Sequence, residues 1–431
     1  MSPRSNALLL GALGSHRLLA IDGPNFSGRS DLLRRFCRVS ADGRMYLGPE
    51  IYFALSGLTT SVQQELELHA GGDLLSSEWL DIAKTLNLTK LFDHHPAKLS
   101  GGEQTSLCLL CTMILRPNII AADCALEQLD SQKLASSIEL LKSDFGPRHG
   151  TVITDNRLAE WNDDLPTIAI AELEPDPPRR GPVPPLDPSQ IEQLGNSSAP
   201  TLELRNLTAG YQKDASVLTA VSITLEPARV YTLRGANGSG KSTLAKVLSG
   251  VLRPISGQIL VSGKPLDLSK NPGKVAGYHL QNPDVGLFEA TVSAELGFKP
   301  GISAAAEITA IRDAFGLKPF FAANPLALPF PVRKRVSLAA TIARLPPWII
   351  LDEPTLGADA TTIVALARIM QSLAAKGHGV IVISHSKKLL EMLGGYELKI
   401  DGGAVLQVNR DGAGSQSEEI AGKMLPLRGD R

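Results

Sequence analysis

Gly235-Ala236-Asn237-Gly238-Ser239-Gly240-Lys241-Ser242-Thr243 decides how this chain of 431 residues is read. The stretch fits G-x-x-x-x-G-K-[ST] and follows Val230–Leu233, a run that predicts a buried strand. A strand, a glycine loop and then a helix make a cradle for phosphate. Gly235, Gly238 and Gly240 let the backbone N–H groups of Asn237 and Ser239 wrap an anion, and the N-terminus of the following helix adds its dipole. Lys241 is placed to reach terminal phosphates, Ser242 to ligate Mg2+, and Thr243 completes the motif.

An altered copy lies upstream: Gly23-Pro24-Asn25-Phe26-Ser27-Gly28-Arg29-Ser30. The repeat extends further. Leu99 to Asp123 and Leu328 to Asp352 are both steps of 24 residues, and a buried apolar run ends at each Asp. Both halves therefore read as parallel α/β units, with strands in the second at Trp348–Leu351 and Gly379–Ile383. The first loop aligns at an offset of 212 and Asp123 at 229, so the first half is 17 residues shorter. The missing piece matches Pro254–Leu266, which reads as two short strands and a turn, and the first half has no counterpart of Tyr211. The expected fold is α/β: two tandem P-loop domains, each a parallel-sheet core with a helical subdomain, the first one reduced.

Residues 174–200 are dense in proline and short of large apolar side chains, which predicts a semi-extended spacer outside any core. The boundaries expected are thus 1–173, a linker at 174–200, 201–409, and a polar flexible tail at 410–431. Hydrophobic residues make up 43%, charged residues 20%, and the net charge is −1, so no nucleic-acid partner is expected. Cysteines number four, which points to a reducing compartment, and Cys108-x-x-Cys111 lies in an apolar run that predicts a buried helix face. No uninterrupted apolar window is long enough to span a membrane. Asn6–Leu13 is faintly like a signal segment, but Arg17–Ile21 leads into the first loop as a strand should.

The defects of the halves are opposite. In the second half, Asp352 and Glu353 end a strand, Asp352 suited to the Mg2+ shell and Glu353 to a general base. His385 follows a further strand as a donor to the last phosphate, and Gln281 sits in a loop that can sense metal and water. Yet at 328–332 this half reads Leu-Pro-Phe-Pro-Val, where two prolines lack N–H groups and Phe330 adds bulk. The first half carries Leu99-Ser100-Gly101-Gly102-Glu103-Gln104 there, and Ser100, Gly101 and Gly102 open a helix suited to an anion arriving from elsewhere. Its own loop has Arg29 for Lys and Asp31 in the Thr243 position; Cys124 replaces Glu353, Asp155 replaces His385, and no Gln stands near Gly48–Glu50.

These residues resemble the ATP-binding cassette (ABC) family over nearly the whole chain. The resemblance implies head-to-tail pairing of two domains, each ATP with its Mg2+ held between one phosphate loop and the opposite LSGG-type signature. Carried over, one working site joins Tyr211 (adenine stacking), Gly235–Thr243, Gln281, Asp352, Glu353 and His385 to Ser100, Gly101 and Gly102, while Asp130 and Asp359 match the family's D-loop. Gln281-Asn282-Pro283-Asp284, Leu287-Phe288 and Thr291-Val292 are similar to the energy-coupling-factor (cobalt/vitamin importer) group, which has Gln where this chain has Gly286. That implies an ATPase subunit, cytoplasmic and peripheral to the inner face of the cell membrane, powering a separately encoded integral membrane permease. A soluble ABC ATPase acting on a ribosome, DNA or another complex stays open, as does pairing of the halves within one chain or between two.

Overall fold

Short apolar strands alternate their side chains between two faces, and this chain uses that alternation twice. The computed structural model describes residues 3–38, 43–50, 54–72, 76–143, 150–156, 158, 165–174, 183–211, 216–297 and 305–409. The first half runs α1 (Pro3–Ser15), β1 (Leu18–Asp22), α2 (Arg29–Arg38), β2 (Arg44–Leu47), α3 (Val62–His69), α4 (Ser77–Thr85), α5 (Gly101–Ile114), β3 (Ile119–Asp123), α6 (Ser131–Lys142), β4 (Gly150–Thr154), β5 (Thr167–Ala169) and α7 (Ile170–Leu173). The second half begins β6 (Leu202–Ala209), β7 (Leu218–Leu225), β8 (Val230–Arg234), α8 (Lys241–Leu248), β9 (Ser256–Val261), β10 (Lys264–Pro265) and β11 (Ala276–His279). It continues with α9 (Val292–Glu295), α10 (Ala305–Ala314), α11 (Phe330–Ala343), β12 (Trp348–Asp352), α12 (Ala360–Ala375), β13 (Gly379–Ile383), α13 (Lys387–Leu393), β14 (Tyr396–Asp401) and β15 (Ala404–Asn409).

The two principal sheets have the same order. The first is β2-β3-β4-β1-β5, and the second is β11-β12-β13-β8-β14 with β15 added antiparallel at the edge. All other pairings in both are parallel, so both faces must be covered. In β1, Leu18 and Ala20 enter one core cluster while Leu19 and Ile21 enter the cluster on the opposite face. In β12, Ile349 and Leu351 face one side and Trp348 and Ile350 the other. Helix α1 packs on this framework through the fully buried Leu9, in a cluster with Leu19 and Phe36. Cys108 and Cys111 lie on the buried face of α5, where burial pushes both thiols up.

A four-stranded sheet, β10-β9-β6-β7, is found only in the second half among the described residues. Its β9–β10 hairpin is the two-strand piece that the length difference predicted.

The linker is a correction. Residues 175–182 lie outside the described residues, as does the tail 410–431, but 183–200 is fastened to the second half rather than spanning freely. Leu186, Ile191 and Leu194 join the core with Ile311 of α10, Phe315 just after it, and Leu366 and Met370 of α12. The backbone is pinned as well: Asp187 N–H donates to Ala314 O (2.8 Å), Ser197 N–H to Lys376 O (2.6 Å), and the Trp348 indole to Pro200 O (2.7 Å). Proline-rich chain has little conformational freedom to lose, so a few apolar residues with no period suffice to seat it. Ile191→Ala is therefore expected to lower stability by about 2–5 kcal/mol, as for a buried side chain, read from the urea midpoint at unchanged slope. A free spacer would give no shift.

Candidate functional site

The strands that end at the same edge of the second sheet deliver its polar residues to one place. β8 leads into Gly235–Lys241, where Gly240 has φ +110° and a Cβ would sit 2.8 Å from Leu218 Cδ2, so only glycine fits. Lys241 Nζ donates to Gly235 O (2.8 Å) and Ala236 O (3.0 Å). Asp352 Oδ2, at the end of β12, accepts from Ser242 Oγ (2.9 Å) and from the Tyr278 hydroxyl (2.9 Å). Glu353 has φ +48°, a left-handed strain directly after the strand. Its Oε2 accepts from Ser384 Oγ and His385 N–H (both 3.3 Å), while Oε1 lies 3.7 Å from His385 Nε2. Tyr211 is 59% exposed, with Lys246 Nζ over its ring and bonded to its hydroxyl.

Electrostatics favour a proton acceptor. Burial first, then the neighbouring Asp352 charge, pushes Glu353 up to about 7, while His385 N–H, Lys334 and Lys241 oppose the shift. Lys334, buried on α11, is pushed down to about 8 by burial and donates to Gln281 O (2.7 Å).

The first half closes this cluster. Asp130 Oδ2 accepts from Asn237 Nδ2 (2.8 Å), and Gln128 Oε1 accepts from Gln281 Nε2 (3.4 Å). A Cβ on Gly102 would stand 3.0 Å from Gln128 O and 3.6 Å from Asn237 Nδ2; one on Gly101 would run into the Gln128 side chain and come within 2.6 Å of Gln281 Nε2. Ser100 precedes α5, its N–H (2.8 Å) and hydroxyl (2.7 Å) both donating to Glu103. Gly101 and Gly102 thus face the phosphate loop of the other half within one chain.

Residues 218–356 match the family profile described as ABC transporter. A putative ABC transporter ATP-binding protein of Pyrococcus furiosus is 31% identical over 197 residues, 44% of this chain and 75% of that protein. One from Methanosarcina mazei is 26% identical over 355 residues, 77% of this chain and 71% of that protein. An energy-coupling factor transporter ATP-binding protein, EcfA, of Methanoculleus marisnigri is 32% identical over 214 residues, 48% of this chain and 77% of its own length. The chain belongs to the ABC transporter ATP-binding family. It is an ATPase, and its cofactors are ATP and Mg2+. The second-half cluster fits them: Ser239 Oγ is buried in the loop with no hydrogen-bond partner, and Ser242 and Asp352 offer oxygens side by side.

The first half repeats this architecture with different side chains. Cys124 takes the same left-handed conformation as Glu353 (φ +51°), and its N–H donates to Thr154 O (2.8 Å) as Glu353 N–H does to Ile383 O (2.8 Å). That register corrects one sequence assignment. Asp123 pairs with Thr154 and Asp352 with Ile383, so the counterpart of His385 is Asn156, not Asp155. The count from the Asp is 33 in both halves once Asn156 is used. Three contributors escaped the sequence reading: Tyr278, which the aligned Tyr46 on Asp123 (2.6 Å) could have flagged, Gln128, and Lys334.

Because Ser100 adjoins Gly101 and Gly102, which face Gln281 and Asn237, Ser100→Arg is expected to depress phosphate release as severely as Lys241→Ala, by about 100-fold or more. Equal turnover in Ser100→Arg and the unmodified chain, measured at saturating MgATP, would show that the first half contributes nothing to the site.

Proposed function

We propose that this chain is a tandem ABC ATPase, with one working composite site and one degenerate site, that energises a separately encoded membrane transporter of the energy-coupling-factor type. The observation that carries the reading is the Asn237–Asp130 bond with Gly101 and Gly102 beside it, which joins the intact loop to the intact signature. Tyr211 stacks the adenine, and Gly235–Thr243 cradle the phosphates. Ser242, Gln281 and Asp352 would hold Mg2+, which when bound would neutralise charge on the triphosphate. Glu353 takes the proton of the attacking water, His385 donates to the γ-phosphate, and Lys241 bridges β- and γ-phosphates. Ser100, Gly101 and Gly102 donate from the opposite side, so closure of the two halves completes the site.

One relative is an energy-coupling factor transporter ATP-binding protein, and the Gln281–Asp284 motif is similar to that group. Among the described residues no helix is long and apolar enough to cross a membrane, so transport requires a membrane partner. The two halves offer it matching knobs. Phe288 is 85% exposed and precedes α9; Leu58 is 84% exposed and precedes α3. Each loop is held by a buried carboxylate on the next helix: Glu295 accepts from Phe288 N–H (2.9 Å) and Glu65 from Ser56 N–H (2.6 Å). Rigidly presented apolar side chains of this kind suit sockets on a partner. The work is done at the cytoplasmic face of the membrane.

Glu353→Gln is expected to remove steady-state turnover while ATP stays bound, seen as retained nucleotide after gel filtration; undiminished phosphate release would exclude Glu353 as the base. Leu58→Asp and Phe288→Asp, separately, are expected to reduce co-purification with membrane partners by about tenfold while ATP binding is unchanged. Normal complex formation by both variants would remove these knobs from the interface.

A further inference from the structure

At the degenerate edge, side chains of both halves close a ring of hydrogen bonds. Arg29 Nη2 donates to Asn156 Oδ1 (2.7 Å); Asn156 Nδ2 donates to Glu127 Oε1 (2.7 Å). Glu127 Oε2 accepts from Gly357 N–H of the second half (2.6 Å), and Gly357 O accepts from Asn25 Nδ2 (2.7 Å). Asn25 Oδ1 accepts from Arg29 Nη2 (3.3 Å), which returns the ring to its start. Arg29 and Glu127 are buried, so these charge-assisted bonds are screened little by solvent.

The ring consumes the groups a nucleotide would need. Arg29 stands where the working loop has Lys241, and its guanidinium is turned onto two amide oxygens. The Asn25 N–H, at the lip of the loop, donates to Asp359 Oδ2 of the other half (3.2 Å). Asp123, the counterpart of Asp352, has both oxygens taken, Oδ1 by Thr154 (2.7 Å) and Oδ2 by Tyr46 (2.6 Å), whereas position 154 is Ile383 in the second half. Ser27 Oγ is buried without a partner, as Ser239 Oγ is, so the difference between the loops lies in Arg29 and Asp123.

More contacts reinforce the edge. Arg333 of α11 bridges Glu50 of the first half and Asp284 of the second, and Arg335 lies 5.8 Å over the Phe26 ring. The working edge has the Asn237–Asp130 and Gln281–Gln128 contacts, with no such ring among the described residues.

We propose that the degenerate edge is a nucleotide-free joint, held by this ring and by Arg333, so that the chain binds one ATP and opens and closes at the working edge alone. The inference rests on the one-site reading above, and one pair of measurements on the full chain separates the two. Equilibrium dialysis of MgATP against Glu353→Gln is expected to give one nucleotide per chain, falling to none in Glu353→Gln/Lys241→Ala. Two per chain, or one surviving the Lys241 change, overturns the joint. Hydrogen exchange of the same protein, read by mass spectrometry, is expected to slow about tenfold or more at 99–104 and 235–243 on adding MgATP, and to change by less than about threefold at 23–30 and 354–359. Glu127→Ala is expected to speed exchange at 354–359 in both conditions. Nucleotide-dependent protection of 354–359 equal to that of 235–243 overturns the joint. Absence of protection at 99–104 overturns the composite site, and closure at the working edge with it, while one nucleotide per chain and unchanged exchange at 23–30 still support a nucleotide-free degenerate edge.

Discussion

Two reciprocal contacts between an asparagine and an aspartate set the arrangement of the halves. Asn237 of one phosphate loop bonds Asp130 of the other half, and Asn25 of the other loop bonds Asp359 through its backbone. Both asparagines occupy the same loop position, and both aspartates cap the N-terminus of the helix after the buried strand, as Asp130 does at Lys133 N–H and Asp359 at Thr362 N–H. A capping aspartate is already oriented by its own helix, so little side-chain entropy is lost in reaching across. Each loop is thereby brought against the signature helix of the opposite half. The head-to-tail relation follows from these two pairs.

Once that relation holds, a defect in one half is matched by a sound part in the other. The Phe330-Pro331 start of α11 faces Gly357 rather than an anion: a Cβ on Gly357 would meet the Phe330 ring at 3.0 Å. Bulk at that point fills space, which suits a surface that is packed against protein. By contrast Gly101 and Gly102 keep the backbone bare where they approach Gln128, Gln281 and Asn237. The same helix position is thus used for packing on one edge and for close approach on the other.

Much of this was legible in the sequence, because the motifs impose local geometry. Strand β13 is the Gly379–Ile383 run as read, and β8 and β12 each extend the reading by one residue. The hairpin β9–β10 was visible as a length difference between repeats. What was not legible depended on register or on tertiary burial. Asp155 and Asn156 are adjacent and both polar, and only the pairing of β3 with β4 tells which one stands in the His385 position. The segment 183–200 looks like a spacer by composition, but Ile191 and Leu194 meet a groove between α10 and α12 that has no local signature. Lys334 was hidden for the opposite reason: a lysine on a helix is usually solvated, and its burial follows from how α11 crosses beneath the Gln281 loop.

The pattern of loss is selective. What the first half lacks, the β9–β10 hairpin among the described residues and a Tyr211 counterpart in its sequence, belongs on the proposed reading to holding a nucleotide of its own, as do the altered Arg29, Cys124 and Asn156. What it retains faces outward to the second half or beyond: the Ser100–Gly102 turn, Asp130, and the exposed Leu58 with its Glu65 support. The second half shows the complement, keeping its own cradle and losing only the Leu328–Val332 turn that would serve another loop. The residues offered to the other half, such as Gly101, Gly102 and Asp130, are largely distinct from those lining each half's own pocket, such as Lys241, Ser242 and Glu353, with Asn237 and Gln281 common to both. One set can therefore decay without disturbing the other, provided the emptied pocket is filled, and Arg29 with Asn156 and Glu127 does the filling.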